Sequence, residues 1–218
     1  IAALLEAKGI TDAEEFLEAC RRPELLETIG AATGTVEGFL YPDTYYFARN
    51  YPAQGVAAYM IENFFNTLKT ILPDGQDMSA EEIYSKVTLA SIVEREYRDP
   101  SEAALIASVF YNRIEQEMTL GSCATVVYAL TEEMGRDHPE RLTYADLETE
   151  SDYNTYIHQG LPPGPIANPG YLALSAAFNP EKSDYLYFVL KDPDTGTHHF
   201  SRSLIEHNQA YKLYIKRK

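Results

Sequence analysis

The chain predicts an α+β fold in which helices pack against a small antiparallel sheet. Three observations carry that reading. Apolar residues recur at helical spacing in several separate segments between residues 1 and 218. DYLYFVLKD and THHFSRS flank Pro193-Asp194-Thr195-Gly196 and read as one two-stranded hairpin. Asp152–Gly170 carries four prolines and three glycines with no helical period. It reads as a long ordered loop, because Pro-Pro and Gly-Pro steps leave little backbone freedom to lose.

The elements follow in chain order. IAALLEAKGI has helical apolar spacing and stops at Gly9, a C-terminal cap. Thr11 and Glu14 suggest a capping box for a second short helix through TDAEEFLEAC. TVEGFLYPDTYYF, interrupted by Gly38 and Pro42, reads as loop and strand. Gln54–Leu72 is helical and closes on Pro73-Asp74-Gly75. Ser79 and Glu82 make a capping box for a helix that ends before Pro100. Ser101 caps a further helix through ALIASVFYNRIEQEM, SCATVVYAL is a short helix, and LTYADLETE is a turn with one helical turn. A short helix over Tyr171–Phe178 precedes the hairpin, and a last one runs from about Leu204 to Lys218.

Composition narrows the functional classes. A net charge of -15 argues against nucleic-acid partners, which favour a basic face. Tyr is present 17 times and Trp not at all, and tyrosine both stacks on sugar faces and hydrogen-bonds, which suits a carbohydrate groove. The alternative is that most tyrosines edge the core. Cys20 and Cys123 form no C-x-x-C pattern, so neither zinc nor redox chemistry is indicated, and a single long-range disulfide is left open without support. No segment is long and apolar enough to span a bilayer. The start on Ile1 reads as an excised soluble piece, so any anchor or export signal would lie upstream.

Candidate chemistry concentrates in LASIVEREYRDP, where Glu94 and Glu96 follow an apolar run. At about 100° per residue, Ile83, Val87, Ala90, Val93 and Tyr97 share one arc with Glu94 near its middle, while Glu96 lies at the side by Ser85, Leu89 and Ile92. An acid inside a packed stripe needs a fixed partner. A general acid needs an apolar wall and an open side. On that criterion Glu96 is the better acid and Glu94 the better anchor. The wheel alone leaves open that both are surface residues paired with Arg95 or Arg98.

Other catalytic signatures are missing. His198 and His199 fall on a strand, His158 and His207 are isolated, and no H-x-x-x-H pair, G-x-S-x-G elbow or phosphate loop occurs. Lys86 alone reads as solvated. No metal or cofactor is expected, and carboxylate acid-base chemistry leads by elimination. Tyr153, Asn154, Tyr156 and Gly160-Leu161-Pro162-Pro163-Gly164 combine rings, an amide and exposed backbone, as a polymer bearing hydroxyls and acetamides would require. A purely structural loop is the alternative.

Five blocks resemble one family: EGFLYPDTYYF, LASIVEREY, ASVFYNRI, YNTYIHQGLPPGPIANPG, and YLYFVL with HHFSRSLIEHN. Together, in order from about Val36 to Asn208, they are similar to the YceG-like, MltG-type endolytic murein transglycosylases. The resemblance implies an α+β catalytic domain over 36–218, with 1–35 a helical remnant linking to an absent LysM-like subdomain and membrane anchor. It implies cleavage of the MurNAc-β-1,4-GlcNAc bond within nascent peptidoglycan strands, leaving 1,6-anhydro-MurNAc ends. It also implies work beside cell-wall synthases, on the outer face of the bacterial cytoplasmic membrane. By position the catalytic acid is Glu96, with Glu94 in support. Tyr153, Asn154, Tyr156, Gly160, Leu161, Pro162, Pro163 and Asn168 match the glycan-lining loop, and Thr125 and Tyr128 match a preceding block. That block departs from the family pattern. Where Q-[ST]-D-P-T is usual, the chain has Gly121-Ser122-Cys123-Ala124-Thr125, which lacks the acid and the proline.

Two other readings compete with a single-acid transglycosylase. One is a hydrolase pairing Glu96 with Glu94, Asp146 or Asp152. The other is a non-catalytic glycan-binding module of the wall-synthesis complex.

Overall fold

The computed structural model describes residues 1–30, 34–72 and 78–215. Three short helices open the chain: α1 (Ala2–Ala7), α2 (Ala13–Ala19) and α3 (Pro23–Ile29). The cap of α2 falls on Asp12 rather than Thr11, because Asp12 Oδ1 accepts both the Glu14 and Glu15 N–H groups. The sequence reading passed over α3, which begins on Pro23 and ends at Gly30 with φ 61°. Residues 41–48 are irregular and pair with no strand, so the loop half of that expectation holds and the strand half does not.

The long helices α4 (Ala53–Ile71) and α5 (Ala80–Glu96) come next. The expected stop of α4 at Pro73-Asp74-Gly75 lies outside the described residues. The Ser79–Glu82 capping box is present at α5, with both reciprocal bonds formed. Asp99, not Ser101, caps the following turn (Pro100–Glu102), accepting from Ser101 N–H, and α6 spans Ala103–Glu115. Then come α7 (Cys123–Tyr128), which runs on through a π turn to Glu133, α8 (Tyr144–Leu147) and α9 (Tyr171–Phe178). Strands β1 (Tyr187–Asp192) and β2 (Thr197–Ser201) pair antiparallel in the predicted hairpin, with a bulge between Leu190 and Asp192. α10 covers Leu204–Tyr214, and 216–218 lie outside the described residues.

The centre of the molecule is α5. Every residue from Val87 to Val93 is buried, because α9, α6 and α7 all pack on it. The single apolar arc of the helix wheel therefore does not describe it. A helix covered on all sides has no solvent face to set a periodic pattern. Phe16, Ile29, Phe39 and Phe64 extend the same core through α2, α3 and α4. Lys86 is not solvated as expected but half-buried, its Nζ 5.3 Å from the Tyr111 ring centre and 5.5 Å from that of Phe178.

The Pro/Gly-rich segment is irregular but tied down. Ile166 N–H donates to Ser91 Oγ at 2.9 Å, and Gly170 N–H to Glu94 Oε2 at 3.0 Å. Asn168 Oδ1 accepts from Gly38 and Leu40 N–H at 2.9 and 3.0 Å. Gly38 has φ 91°, and a Cβ there would overlap Pro165, so only glycine lets the two segments touch. Cys20 and Cys123 are both free thiols, the first buried and the second exposed. Among the described residues, no helix is long and apolar enough to cross a membrane.

Candidate active site

Glu96 is the last residue of α5. Its carboxyl opens into a cleft of about 410 Å³. One wall is the turn Thr119–Cys123 that leads into α7, and Tyr156 of the Pro/Gly-rich segment stands beside it. The opposite wall is the hairpin, through Tyr187 and Phe188, with Leu204 and His207 of α10 at its edge. Phe110 and Arg113 of α6 form the floor. Four aromatic rings thus line the cleft beside one carboxyl.

Ser122 donates its hydroxyl to Glu96 Oε1 at 2.5 Å. The same Ser122 oxygen accepts Ala124 N–H at 3.2 Å as the cap of α7. The proton chain therefore points from the helix start towards Glu96 Oε1, and Oε2 is left for a ligand. Burial pushes the Glu96 pKa above its ordinary 4.5. The Ser122 bond and the charges of His198, Arg113 and Arg95 pull the other way without cancelling it. A raised carboxyl pKa beside an open cleft is the equipment of a general acid.

Arg113 ties the two walls together. Its Nε donates to Leu186 O at 2.6 Å, and its Nη1 to Leu120 O at 2.7 Å and Thr119 O at 3.4 Å. The guanidinium carbon lies 5.0 Å from the Tyr187 ring centre. Next to it, Asn112 Nδ2 donates to Ser183 O and Tyr185 O at 3.0 and 2.9 Å. The far end of the hairpin is held by Glu102, whose two oxygens accept His198 N–H at 3.0 Å each, with His198 Nδ1 2.8 Å from Oε2. Gly196, at φ 74°, lets the hairpin turn rest on Arg98, where a Cβ would come within 2.6 Å of the Arg98 Cβ.

Glu94 points away from the cleft. Its Oε2 accepts Gly170 N–H, the N-cap position of α9, and Tyr97 also bonds to its carboxylate. Of the residues singled out in the sequence, Glu96 and Tyr156 line the cleft, and the others are placed around it. Thr125 is buried, donating to Ser122 O at 2.9 Å and lying 2.8 Å from Thr155 Oγ1. Asn154 is buried, both its amide donors used on Leu147 O and Thr149 O. Tyr128 packs on Tyr153 with the rings tilted and their centres 4.7 Å apart, and donates to Glu37 at 2.7 Å. Leu161 borders a separate pocket with Lys86 and Tyr111, Gly160 has φ 80°, Pro162 is buried, Pro163 is exposed, and Asn168 braces residues 38–40.

Sequence reasoning missed Ser122, Arg113, Tyr187, Phe188 and His207 as cleft residues. They come from four elements whose meeting no local pattern announces. The available signal was that Arg113, Tyr187, Phe188 and His207 fall inside blocks that resemble the family, and Ser122 inside the segment that departs from its pattern. Among the described residues, no three His, Cys, Asp or Glu side chains gather with metal-binding spacing.

Fold and site together define an α+β domain in which, among the described residues, one carboxyl lines an aromatic cleft. The chain belongs to the YceG-like family, whose profile matches residues 1–213. It is 38% identical over 186 residues to an endolytic murein transglycosylase of Bacillus subtilis (strain 168), covering 84% of this chain and 49% of that one. An endolytic murein transglycosylase of Streptococcus pneumoniae serotype 2 (strain D39 / NCTC 7466) is 29% identical over 208 residues, covering 90% and 36%. The chain thus spans about half the length of the first relative and less of the second. The 2.6 Å crystal structure of a yceG-like protein of Listeria monocytogenes superposes with a TM-score of 0.75 at 36% identity, covering 91% of this chain and 67% of that one.

Proposed function

We propose that the chain is the catalytic part of a peptidoglycan lytic transglycosylase. It cleaves the MurNAc-β-1,4-GlcNAc bond within glycan strands and leaves 1,6-anhydro-MurNAc ends. The observation that carries this reading is that Glu96 is the only carboxylate lining its cleft among the described residues. Glu94 is committed to Gly170, Asp146 to the Thr143 cap beside Arg136, and Asp152 is exposed outside the cleft. A hydrolase with a second catalytic carboxylate has no local candidate in the cleft.

Protonated Glu96 donates to the glycosidic oxygen as the C1–O bond breaks through an oxocarbenium-like state. The carboxylate formed is favoured by Ser122 and the nearby charges of His198 and Arg113. It then takes the proton of the C6 hydroxyl, whose oxygen bonds to C1 of the same sugar and closes the anhydro ring. The attack is intramolecular, so its effective concentration is high. Tyr156, Tyr187 and Phe188 offer stacking faces for the flanking sugars. Glu94, Thr125, Asn154 and Asn168 shape the cleft through their bonds to backbone and neighbouring groups rather than by touching glycan. In this reading the chain works at the outer face of the cytoplasmic membrane beside the cell-wall synthases, on strands still being made.

The test is mass spectrometry of digested strands. Anhydro ends are one water lighter than reducing ends, and purely reducing ends would sink the transglycosylase in favour of a hydrolase. Binding of strands without any cleavage would favour the non-catalytic module.

A further inference from the structure

One cation in the cleft has donor capacity that the fold leaves unspent. Arg113 spends Nε and Nη1 on three backbone carbonyls, but its Nη2 has no hydrogen-bond acceptor among the described residues. No carboxylate pairs with it either, since the ion pairs of the described residues are Arg136–Asp146, His198–Glu102 and Arg202–Asp184. A guanidinium taken partly out of water is costly, the charge of Glu96 acts on it only without a direct ion pair, and a ligand oxygen would relieve that cost. Burial already drags its pKa down. The group is rigidly aimed: Tyr187 stacks on one face, and Gly121, at φ 59°, lies close enough that a Cβ there would sit 3.4 Å from Nη1. The positive φ favours glycine at 121, and the turn it makes packs in ordinary contact distance of the guanidinium.

We propose that Arg113 selects the muramic acid unit, its Nη2 binding a carboxyl or acyl oxygen on the C3 substituent of the sugar held beside Glu96. This rests on the glycan-cleaving reading above and deepens it. The two alternating sugars of the strand share their acetamide and most hydroxyls. They differ at C3, where only one carries a lactyl group and, through it, a peptide. A planar fork with one arm free is suited to such an oxygen, and an ammonium group is not. Placing that sugar correctly also decides which of the two bond types faces Glu96.

Titration of the wild-type chain with N-acetylglucosamine, N-acetylmuramic acid and muramyl dipeptide, followed by NMR shifts, tests the proposal. N-acetylmuramic acid is expected to bind about tenfold tighter than N-acetylglucosamine. Arg113→Gln should bring the two within about twofold. The ratio of affinities is unaffected by a fraction of unfolded chain, which matters because Arg113 also braces both walls. Arg113→Lys keeps the charge, loses the fork, and should give an intermediate ratio; it replaces Arg113→Gln if that variant does not fold. Dipeptide binding equal to that of N-acetylmuramic acid assigns the contact to the lactyl oxygen, and preference for the dipeptide alone assigns it to a stem carboxylate. Equal affinity of wild type for all three, or a preference that survives substitution of Arg113, overturns the proposal. Strand cleavage is assayed on the same preparation: its absence would undo the transglycosylase reading, while the sugar preference would still report on Arg113.

Discussion

Burial of Glu96 has two consequences of opposite sign. As the proposed general acid it must carry a proton, so cleavage should fall as pH rises through its raised pKa. For stability, Glu96 is protonated in both folded and unfolded chains below its ordinary 4.5. As pH climbs past that value the unfolded chain ionises first, and the folded state loses ground until its own raised pKa is passed. Glu96→Gln keeps the Ser122 bond and never ionises. It should cut turnover about 10²- to 10⁴-fold yet melt higher than wild type at pH 7.5, with the gap closing at pH 4; activity assays and melts at both pH values check this. Ser122→Ala removes a bond that lowers the Glu96 pKa, so the alkaline limb of its rate profile should move to higher pH, and the lost α7 cap should cost about 1 kcal/mol in a urea titration. A spacing of two residues turns the two glutamates to opposite sides of a helix, which favours Glu96 as the acid. The wheel alone leaves both open as surface residues, and the resemblance is what singles out Glu96. Arg113, Tyr187 and Ser122 could not be gathered that way. Their nearness depends on α6, β1 and the α7 turn meeting in space, and the wheel failed on α5 because a wholly covered helix has no periodic face.

At the level of elements, the hairpin is the least self-sufficient part. Two strands alone are marginal in water; this pair packs on α10, and side chains of Glu102, Asn112 and Arg113 tie it and the segment entering it to the helices before it. The hairpin could be read in the sequence, because alternating apolar strands around Pro193–Gly196 are a local signal. Its anchorage to α6 is not local and could not be. Glu94 makes the comparable joint between α5 and α9. Glu94→Ala should destabilise the fold by about 1–2 kcal/mol, whereas Glu94→Gln, which can still accept Gly170 N–H, should lose less than half of that. Chemical denaturation of both variants beside wild type tests this. Equal losses would mean that charge, not the bond to Gly170, is what α9 needs.

For the molecule as a whole, the thiols report on folding and site together. Cys20 is buried, with its pKa pushed up to about 11, and Cys123 is exposed with Sγ 3.1 Å from Tyr156 Oη at the cleft. Iodoacetamide should therefore label one thiol in the native chain and both in urea, as counted by intact mass. Labelling of Cys123 alone should block strand cleavage, because the adduct stands in the cleft beside Tyr156. Cleavage at the wild-type rate by the labelled chain would put the glycan elsewhere. The helix-rich α+β class and the long ordered segment follow from local patterns. The burial of α2 and α3 in the same core as α4 and α5 does not, since it depends on packing between segments far apart in sequence.

The proposed acid sits on the final residue of its helix, where chains ordinarily fray and a side chain samples many positions. Here the last turn is splinted from two directions: Gly170 grips Glu94 on one side, and Ser122 grips Glu96 on the other. Much of the entropy of positioning the acid is thus lost during folding rather than at each encounter with a strand. A helix end, usually the loosest part of a helix, is in this chain held in place ahead of any encounter, as the proposed chemistry needs.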